Sequence, residues 1–339
     1  MLRDYLEVSR FFNMGLTGIA PVLGALCMYP NPPLTAIQQG EIAVLFLIGC
    51  LAHTYGFVVN DVLDFKIDAL SRDLTARPLV SGNITRRQAM GFALLCVVLT
   101  LALTIPFYYT ATSRYFILLF TLFVAYGLAT VYNTFSKKLP GMDFFVAGAV
   151  FVLILFGAAT VGPIAHNPLP WIVALIGGLQ VLFMNMINGA IKDIDHDKDG
   201  SARTWAIWLG AKVDQGNVIL PRSFKISGYS IEVFRTLLIF LPLLVFQPDL
   251  KTNFWILPLL VVFTILTFIA INRLYSIKTF NRGKIRKGIG LLVIVMWSTA
   301  PIMLSYLNPR ILLLALIPPA WFVLSNIILH KTVLEPKTM

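Results

Sequence analysis

Charged residues are scarce in this sequence, at only 13% of its 339 residues, whereas hydrophobic residues make up 58%. Soluble domains have about 25% charged and about 45–50% apolar residues. The apolar excess is too large for a buried core alone, so it excludes a soluble enzyme, a disordered chain and a nucleic-acid-binding protein. The net charge of +11 instead indicates the basic loops that membrane proteins expose to the cytoplasm.

Cysteine and histidine are also rare, with three and four copies. Cys27, Cys50 and Cys96 lie inside apolar runs, and the sequence has no CxxC pair and no Cys/His cluster. This pattern excludes a disulfide framework and a zinc site.

Long apolar segments dominate the chain instead. A membrane-spanning helix needs about 20 mostly apolar residues. Ten segments qualify, at residues 11–29, 41–60, 87–105, 114–132, 142–162, 170–190, 231–247, 254–275, 288–307 and 310–330. The sequence therefore predicts an all-α polytopic membrane protein.

The basic residues predict how these spans are oriented. The N-terminus, the loops after spans two, four, six and eight, and the C-terminus together hold 24 of the 27 Lys and Arg residues. The opposite side holds only Arg114, Lys251 and Arg310. Because cytoplasmic loops are enriched in Lys and Arg, we expect both termini and the long even-numbered loops in the cytoplasm.

Half of the 16 acidic residues fall in two short stretches, 60–73 and 192–199, where spans two and six end on this basic side. If span two continues as a helix, Asp61, Asp64 and Asp68 form one stripe, which Asn60 joins through Asp64. The second stretch contains two i, i+4 pairs on different faces, Asp193 with Asp197 and Asp195 with Asp199.

Like-charged carboxylates brought together repel each other, so a cation must offset them. Carboxylate oxygens are ligands that Mg²⁺ prefers, and Mg²⁺ usually adds substrate phosphates and water. Two acidic stretches facing one cavity therefore predict metal ions that hold a diphosphate. Basic residues suited to phosphate follow both stretches: Arg72 and Arg77, Arg203, and either Lys137 or Lys138. We assign Arg86 and Arg87 to membrane topology alone.

At these residues the sequence resembles the UbiA superfamily of intramembrane prenyltransferases. Asn60, Asp61, Asp64 and Asp68 match its NDxxDxxxD motif, and residues 77–82 resemble its RP-L-x-SG element. Its second motif, DxxxD with a later basic-Thr pair, is matched by Asp193, Asp197 and Arg203-Thr204, and its Tyr-Lys element by Tyr132 and Lys137. The resemblance covers roughly residues 8 to 307.

The resemblance implies one domain over residues 1–339: a bundle around a central cavity, capped by loops at about 60–86 and 188–230 on the cytoplasmic side. The family has nine helices, so 310–330 is a possible extra C-terminal helix. The implied reaction transfers a polyprenyl group from an allylic prenyl diphosphate to a lipophilic acceptor within the lipid bilayer.

The resemblance also implies a metal ion, Mg²⁺ with Mn²⁺ as an alternative, that would bridge the diphosphate and five aspartates: Asp61, Asp64, Asp68, Asp193 and Asp197. Asp195 or Asp199 could join this ligand set. Asn60, Arg72, Arg77, Lys137 and Arg203 would bind the diphosphate.

The acceptor favoured by the family's base rate is an aromatic quinone precursor, with an isoprenyl glycerol phosphate or a tetrapyrrole as the alternative. Asn13, Tyr132 and Asn188 are candidate substrate-cavity residues, since polar groups inside spans are costly. Asn13 equally suits an interhelical hydrogen bond, and we expect His53 to be packed and hydrogen-bonded. An ion-coupled secondary transporter is the alternative of another class, although its acids would be expected at the bilayer midplane.

Overall fold

The computed structural model describes residues 1–29, 34–69, 74–75, 77–109, 113–199, 201–246 and 253–336, and these are mostly helical. The helices are α1 Leu2–Val8, α2 Phe11–Leu26, α3 Ala36–Asp68, α4 Arg86–Tyr108, α5 Ser113–Phe135, α6 Asp143–Val161, α7 Pro168–Phe183, α8 Ala190–Asp199, α9 Trp205–Trp208, α10 Arg222–Val245, α11 Ile256–Tyr275, α12 Arg282–Leu304 and α13 Ile317–His330. A π-helical segment, Met184–Gly189, joins α7 to α8, and a 3₁₀ helix, Pro309–Leu316, precedes α13. Two short strands, β1 Lys212–Asp214 and β2 Asn217–Ile219, lie between α9 and α10.

Within these described ranges, nine helices are long and apolar enough to cross a membrane, and α2 is apolar but shorter, with 16 residues. Their positions correspond to the ten predicted segments, so the predicted polytopic all-α architecture is confirmed. The segment predicted as a possible extra helix, 310–330, is helical throughout, first as the 3₁₀ helix and then as α13. The three cysteines are buried and free.

Close contact between α2 and α6 depends on two glycines. A Cβ at Gly24 would lie 1.9 Å from the carbonyl oxygen of Ile154, and one at Gly157 would lie 1.8 Å from that of Pro21. Small residues of this kind let helix backbones approach each other in membrane proteins. Because α2 also packs on α3 and α13, it is surrounded by helices along its length.

Helix α3 is longer than the hydrocarbon core of a membrane. Its 33 residues span about 50 Å at 1.5 Å per residue, whereas the core is about 30 Å thick. A capping box between Thr35 and Gln38 fixes its first turn. The acidic stretch that begins at Asn60 therefore occupies the end of α3 that extends toward the membrane surface.

The cap contains more secondary structure than the predicted loop 188–230. Strands β1 and β2 form an antiparallel hairpin whose turn, Gln215 and Gly216, has positive φ angles of 47° and 78°. The residues before α12 join this hairpin, since the Phe280 N–H donates to the Gly216 carbonyl oxygen at 2.8 Å. Helix α10 begins at Arg222, nine residues before the predicted span, because its polar first turns carry no hydropathy signal.

Arg235 also differs from expectation, since we counted it with the residues of the basic side. It lies inside α10, where two of its nitrogens contact Glu232 at 2.7 and 2.9 Å and a third donates to Thr299 of α12 at 2.9 Å. Both charged side chains are fully buried. A bidentate arginine–carboxylate pair satisfies both groups inside the bundle, so this arginine carries no topological signal.

Candidate active site

The first acidic stretch lies on the last turns of α3, as the spacing predicts. Asp61, Asp64 and Asp68 are buried, and the Asn60 amide donates to Asp64 Oδ2 at 3.1 Å. At 3.6 residues per turn the stripe is about 100° wide. Asn60 and Asp64 therefore form one edge of it, and Asp61 and Asp68 form the other.

Two arginines neutralise the Asp61–Asp68 edge. Arg77, from the loop after α3, forms an ion pair with Asp68, and its Nη1 lies 3.7 Å from Asp61 Oδ1. Arg10, between α1 and α2, places Nη2 2.8 Å from the same Asp61 oxygen. Burial opposes the charge of Arg77, but the carboxylates of Asp68 and Asp61 outweigh it and raise the Arg77 pKa above its ordinary value. This edge therefore combines fixed positive and negative charge.

The second acidic stretch follows the π-helical segment, a rare conformation that occurs frequently at functional sites. Asp193 and Asp197, at i, i+4 on α8, both line the same cavity as Asp64. Lys192 places Nζ 3.2 Å from Asp193 Oδ2. Asp195 instead contacts Arg282 Nη2 at 2.6 Å, on the face that holds α8 against α12.

Lys137 connects the two acidic stretches. Its Nζ lies 2.6 Å from Asp197 Oδ1, and its carbonyl oxygen accepts a hydrogen bond from the Arg203 N–H at 2.8 Å. Burial opposes its charge, but Asp197 and then Asp64 outweigh this and raise the Lys137 pKa above its ordinary value. Lys138 is exposed and does not line the cavity. Of the two lysines left open by the sequence, Lys137 is the one in the site.

An apolar cavity extends from these charges into the bundle. Its deeper walls come from α3, α5, α6, α7 and α12, and include Ala52, Ala129, Val150, Leu153, Val181 and Val293. The aromatic rings of Tyr55, Phe57 and Tyr126 also line it. One end is thus charged and the other apolar, which suits a molecule with an anionic head and a hydrocarbon tail.

Of the three residues predicted to line the substrate cavity, two do so and one does not. Asn13 and Tyr132 line the cavity; the Tyr132 hydroxyl lies 3.4 Å from Asn185 Oδ1. The buried Asn13 Oδ1 has no hydrogen-bond partner within the part of the chain that the structure describes. Asn188 is buried and does not line the cavity, and its amide donates to the Met184 sulfur at 3.0 Å.

His53 contacts Thr17 at 3.0 Å and the carbonyl oxygen of Ser9 at 3.1 Å. This is the hydrogen-bonded packing that we expected of His53.

Two further predicted residues lie away from the main cavity. Asp61 does not line it, since Arg10 and Arg77 cover its carboxylate. Arg203 is exposed and lies at a shallower depression that Asp64 and Lys137 also line. Arg72, together with the side chain of Asp199, lies outside the described residues.

Sequence reasoning missed Arg10, Lys192 and Asp143, all of which line the cavity. Arg10 and Lys192 lie next to apolar spans on the basic side. The enrichment of Lys and Arg in cytoplasmic loops already accounts for basic residues there, so neither one stood out as a site residue. Asp143 begins a span, and a single acid at a helix start is ordinary. The one usable signal was the proximity of Lys192 to the second acidic motif.

The site fits Mg²⁺ without a preformed cluster of protein ligands. In the described ranges, no three Asp, Glu, His or Cys side chains converge on one point. Mg²⁺ is usually bound through one or two carboxylates, with substrate phosphates and water completing its octahedron. Asp64 with Asn60 on α3, and Asp193 with Asp197 on α8, provide such oxygen donors at the charged end of the cavity.

Comparisons with known proteins agree with this geometry. A model of the UbiA prenyltransferase family matches residues 18–287. A digeranylgeranylglyceryl phosphate synthase from Thermococcus gammatolerans is 31% identical over 218 residues, covering 62% of this chain and 71% of that protein. Protoheme IX farnesyltransferase 1 from Pseudomonas fluorescens is 32% identical over 171 residues, covering 49% of this chain and 53% of that protein.

Solved structures share the fold. A UbiA homologue from Archaeoglobus fulgidus bound to GPP and Mg²⁺ has a TM-score of 0.61 at 20% identity, covering 91% of this chain and 99% of that one. A UbiA homologue from Aeropyrum pernix has a TM-score of 0.62 at 15% identity, covering 88% and 97%. The family match over most of the chain, on a helical bundle with both acidic motifs at one end of its cavity, shows that this integral membrane protein belongs to the UbiA prenyltransferase family.

Proposed function

We propose that this prenyltransferase transfers a prenyl group from an allylic prenyl diphosphate to a hydroxyl group of an isoprenyl glycerol phosphate. One observation carries the proposal: at the charged end of an apolar cavity, Lys137 contacts Asp197 of one acidic motif within electrostatic reach of Asp64 of the other. A diphosphate head would lie among these charges. Its hydrocarbon tail would extend into the apolar part of the cavity.

The two edges of the α3 stripe support different tasks. Asn60 and Asp64, with Asp193 and Asp197 opposite, are the residues that would hold Mg²⁺. Bound there, Mg²⁺ supplies Lewis-acid stabilisation of charge on a departing phosphate oxygen. Asp61 and Asp68 bind Arg77, and Asp61 also binds Arg10. They would thereby aim two guanidinium groups at the diphosphate.

In the reaction, the allylic carbon–oxygen bond breaks and its electron pair stays on the diphosphate. An oxygen of the acceptor then bonds to the carbon, and its proton leaves toward the aqueous mouth of the cavity. Lys137, Arg77 and Arg10 are fixed before reaction, so they would stabilise the growing negative charge without reorganising. The apolar walls exclude water from the allylic cation, and the rings of Tyr55, Phe57 and Tyr126 offer faces that stabilise positive charge.

The aromatic acceptor favoured in the sequence analysis is not confirmed, and the alternative fits better. Relatives named digeranylgeranylglyceryl phosphate synthase support an acceptor that carries a phosphate. The relative named protoheme IX farnesyltransferase matches a smaller share of the chain. A tetrapyrrole acceptor is therefore the second candidate. The family match supports an enzyme and leaves the transporter alternative without support.

We further propose that both termini and the cap lie on the cytoplasmic side of the membrane. The 24-to-3 distribution of Lys and Arg supports this orientation. Without Arg235, which is buried in α10, the distribution of Lys and Arg is 23 to 3, and it still supports the same orientation. The anionic head of the donor would then reach the acidic motifs from the cytoplasmic side.

Product analysis by mass spectrometry tests the proposal. Purified protein would be offered a panel of prenyl diphosphates with an isoprenyl glycerol phosphate, a tetrapyrrole or an aromatic quinone precursor. We expect a prenylated glycerol phosphate, formed in Mg²⁺ and not in excess chelator. Asp64→Asn and Asp193→Asn should abolish turnover, whereas Asp214→Asn, on the exposed hairpin, should not. Product from another acceptor alone would overturn the acceptor assignment, and full activity in chelator would overturn the metal assignment. A parallel series with Mn²⁺ establishes whether that ion substitutes.

A further inference from the structure

The corner between α1 and α2 holds Arg10 in an unusual backbone conformation. Arg10 has a φ of 47° and precedes the first residue of α2. Non-glycine residues rarely adopt positive φ, and the surrounding structure has to hold them there. The side chain is buried, with Nη2 2.8 Å from Asp61 and the guanidinium 4.7 Å from the centroid of the Phe57 ring.

One side of the corner is held by α3. His53 Nε2 lies 3.1 Å from the carbonyl oxygen of Ser9 and 3.3 Å from that of Arg10. Its Nδ1 lies 3.0 Å from Thr17 Oγ1, which fixes the plane of the imidazole ring. These contacts position the two peptide groups around Arg10 from the α3 side only.

The other side is held by α13, beyond the residues that the family model matches. Trp321 Nε1 donates to the carbonyl oxygen of Phe11 at 2.7 Å, and its ring centroid lies 5.0 Å from that of Phe11. Phe11 directly follows Arg10 in the chain. The indole also occupies the space beside Gly15, where a Cβ would lie 2.4 Å from Trp321 Cγ. One side chain of α13 therefore fixes the first turn of α2 by a hydrogen bond and by packing.

We propose that Trp321 is a positioning residue, through which the C-terminal helix holds Arg10 in place to bind the diphosphate. The proposal rests on the proposed function in one respect, namely that Arg10 meets the anionic substrate. Trp321 itself does not line the cavity. Its effect must therefore pass through the α1–α2 corner.

The test is a double-mutant cycle between Trp321→Phe and Arg10→Lys. Trp321→Phe removes the indole N–H but keeps an aromatic ring. Binding of a non-reactive prenyl thiodiphosphate in Mg²⁺ is measured first, without acceptor, followed by prenyl transfer. We expect Trp321→Phe to weaken binding and to lower kcat/KM by about 10- to 100-fold, the loss typical of a displaced charged group. In the Arg10→Lys background the same change should cost less than about twofold, because Arg10 is the group being positioned.

Trp171→Phe is the matched control. Trp171 also donates its indole N–H to a backbone carbonyl, that of Ile164 at 3.2 Å, but near the start of α7, away from the π-helical segment. It should bind the thiodiphosphate as the wild type does. Gly15→Ala, which displaces the Trp321 ring from the α2 side, should reproduce the Trp321→Phe loss.

Thermal unfolding of the same variants measures the energetic coupling between Trp321 and Arg10 in the absence of any ligand. Non-additive melting shifts of Trp321→Phe and Arg10→Lys support the proposal. Equal losses from Trp321→Phe in both backgrounds, or a Trp171→Phe loss of the same size, would overturn it. A wild-type protein that binds the thiodiphosphate but prenylates no acceptor would contradict the proposed function. In that case the binding cycle still decides the role of Trp321.

Discussion

Replacing Lys137 with methionine removes the ammonium group that links the two acidic motifs, while keeping a side chain of similar length. Lys137 Nζ lies 2.6 Å from Asp197 Oδ1, and only 19% of the lysine side chain and 2% of the aspartate side chain are exposed. A phosphate oxygen bound about 4 Å from this ammonium group would interact with it by about 4 kcal/mol at an effective dielectric constant of about 20. Losing one preorganised donor typically costs about 10²–10³ in kcat. The two magnitudes agree, since 10³ corresponds to about 4 kcal/mol.

The loss should affect kcat as well as KM. In the proposed reaction, negative charge grows on the departing oxygen as the allylic bond breaks, so the ammonium group would stabilise the transition state more than the bound substrate. Release of pyrophosphate from an allylic diphosphate, with acceptor present, measures both constants. Lys137→Arg retains the charge with a different geometry, so we expect an intermediate kcat.

Lys138→Met is the matched control, because it removes the same charge from the neighbouring residue on the same side of the membrane. Lys138 is exposed, and its Nζ lies 5.3 Å from the centroid of the Phe135 ring. We expect it to change kcat/KM by less than about twofold, as is usual for exposed charges. If Lys137→Met and Lys138→Met lose the same activity while both remain folded, Lys137 does not act at the diphosphate.

Three further predictions concern other parts of the molecule. Arg77→Ala should lower kcat by about 10²–10³ in the same assay, whereas the exposed Arg86→Ala should change it little, and similar losses would refute the placement of the phosphate site. Gly157→Ala should lower the melting temperature in detergent, since its Cβ would lie 1.8 Å from the carbonyl oxygen of Pro21 and overpacking costs about 1–3 kcal/mol. Gly91→Ala, with no atom within 4 Å of its Cβ, is its control, and equal melting shifts would contradict the close α2–α6 contact. A topology reporter fused to the C-terminus should report a cytoplasmic location, and an extracytoplasmic signal would refute the orientation of the last two spans.

The positions of the membrane helices could be predicted because the apolar runs are about 17–22 residues long, close to the length that a membrane-spanning helix needs. Their ends were less predictable. Helix α3 continues to Asp68 and α10 begins at Arg222, since turns outside the hydrocarbon core are polar and have no hydropathy signal. The β1–β2 hairpin was not predicted either. Its strands have three residues each, too few for an alternating pattern to stand out.

The acidic side chains of the site were predictable from helical spacing, whereas the partnership of Asp61 with Arg10 was not. The i, i+3, i+4 and i+7 pattern places Asn60, Asp61, Asp64 and Asp68 on one stripe without any tertiary information. Arg10 is 51 residues away from Asp61 in the chain and lies at a break between helices. No periodicity links the two, so their ion pair depends on how α2 packs against α3.

The pairing of acids with bases would let the proposed site accept a cation and a polyanion together. Asp61 and Asp68 are paired with arginines, and Asp197 with Lys137. Breaking such a pair by removing one member leaves a buried charge uncompensated, which is costly. A magnesium diphosphate carries both signs of charge, so its metal can meet the carboxylates while its phosphate oxygens meet the basic groups. Neither set of side chains is then left without a counter-charge. The alternation of acids and bases around the cavity is therefore better suited to a metal–diphosphate pair than to a free metal ion or a free diphosphate.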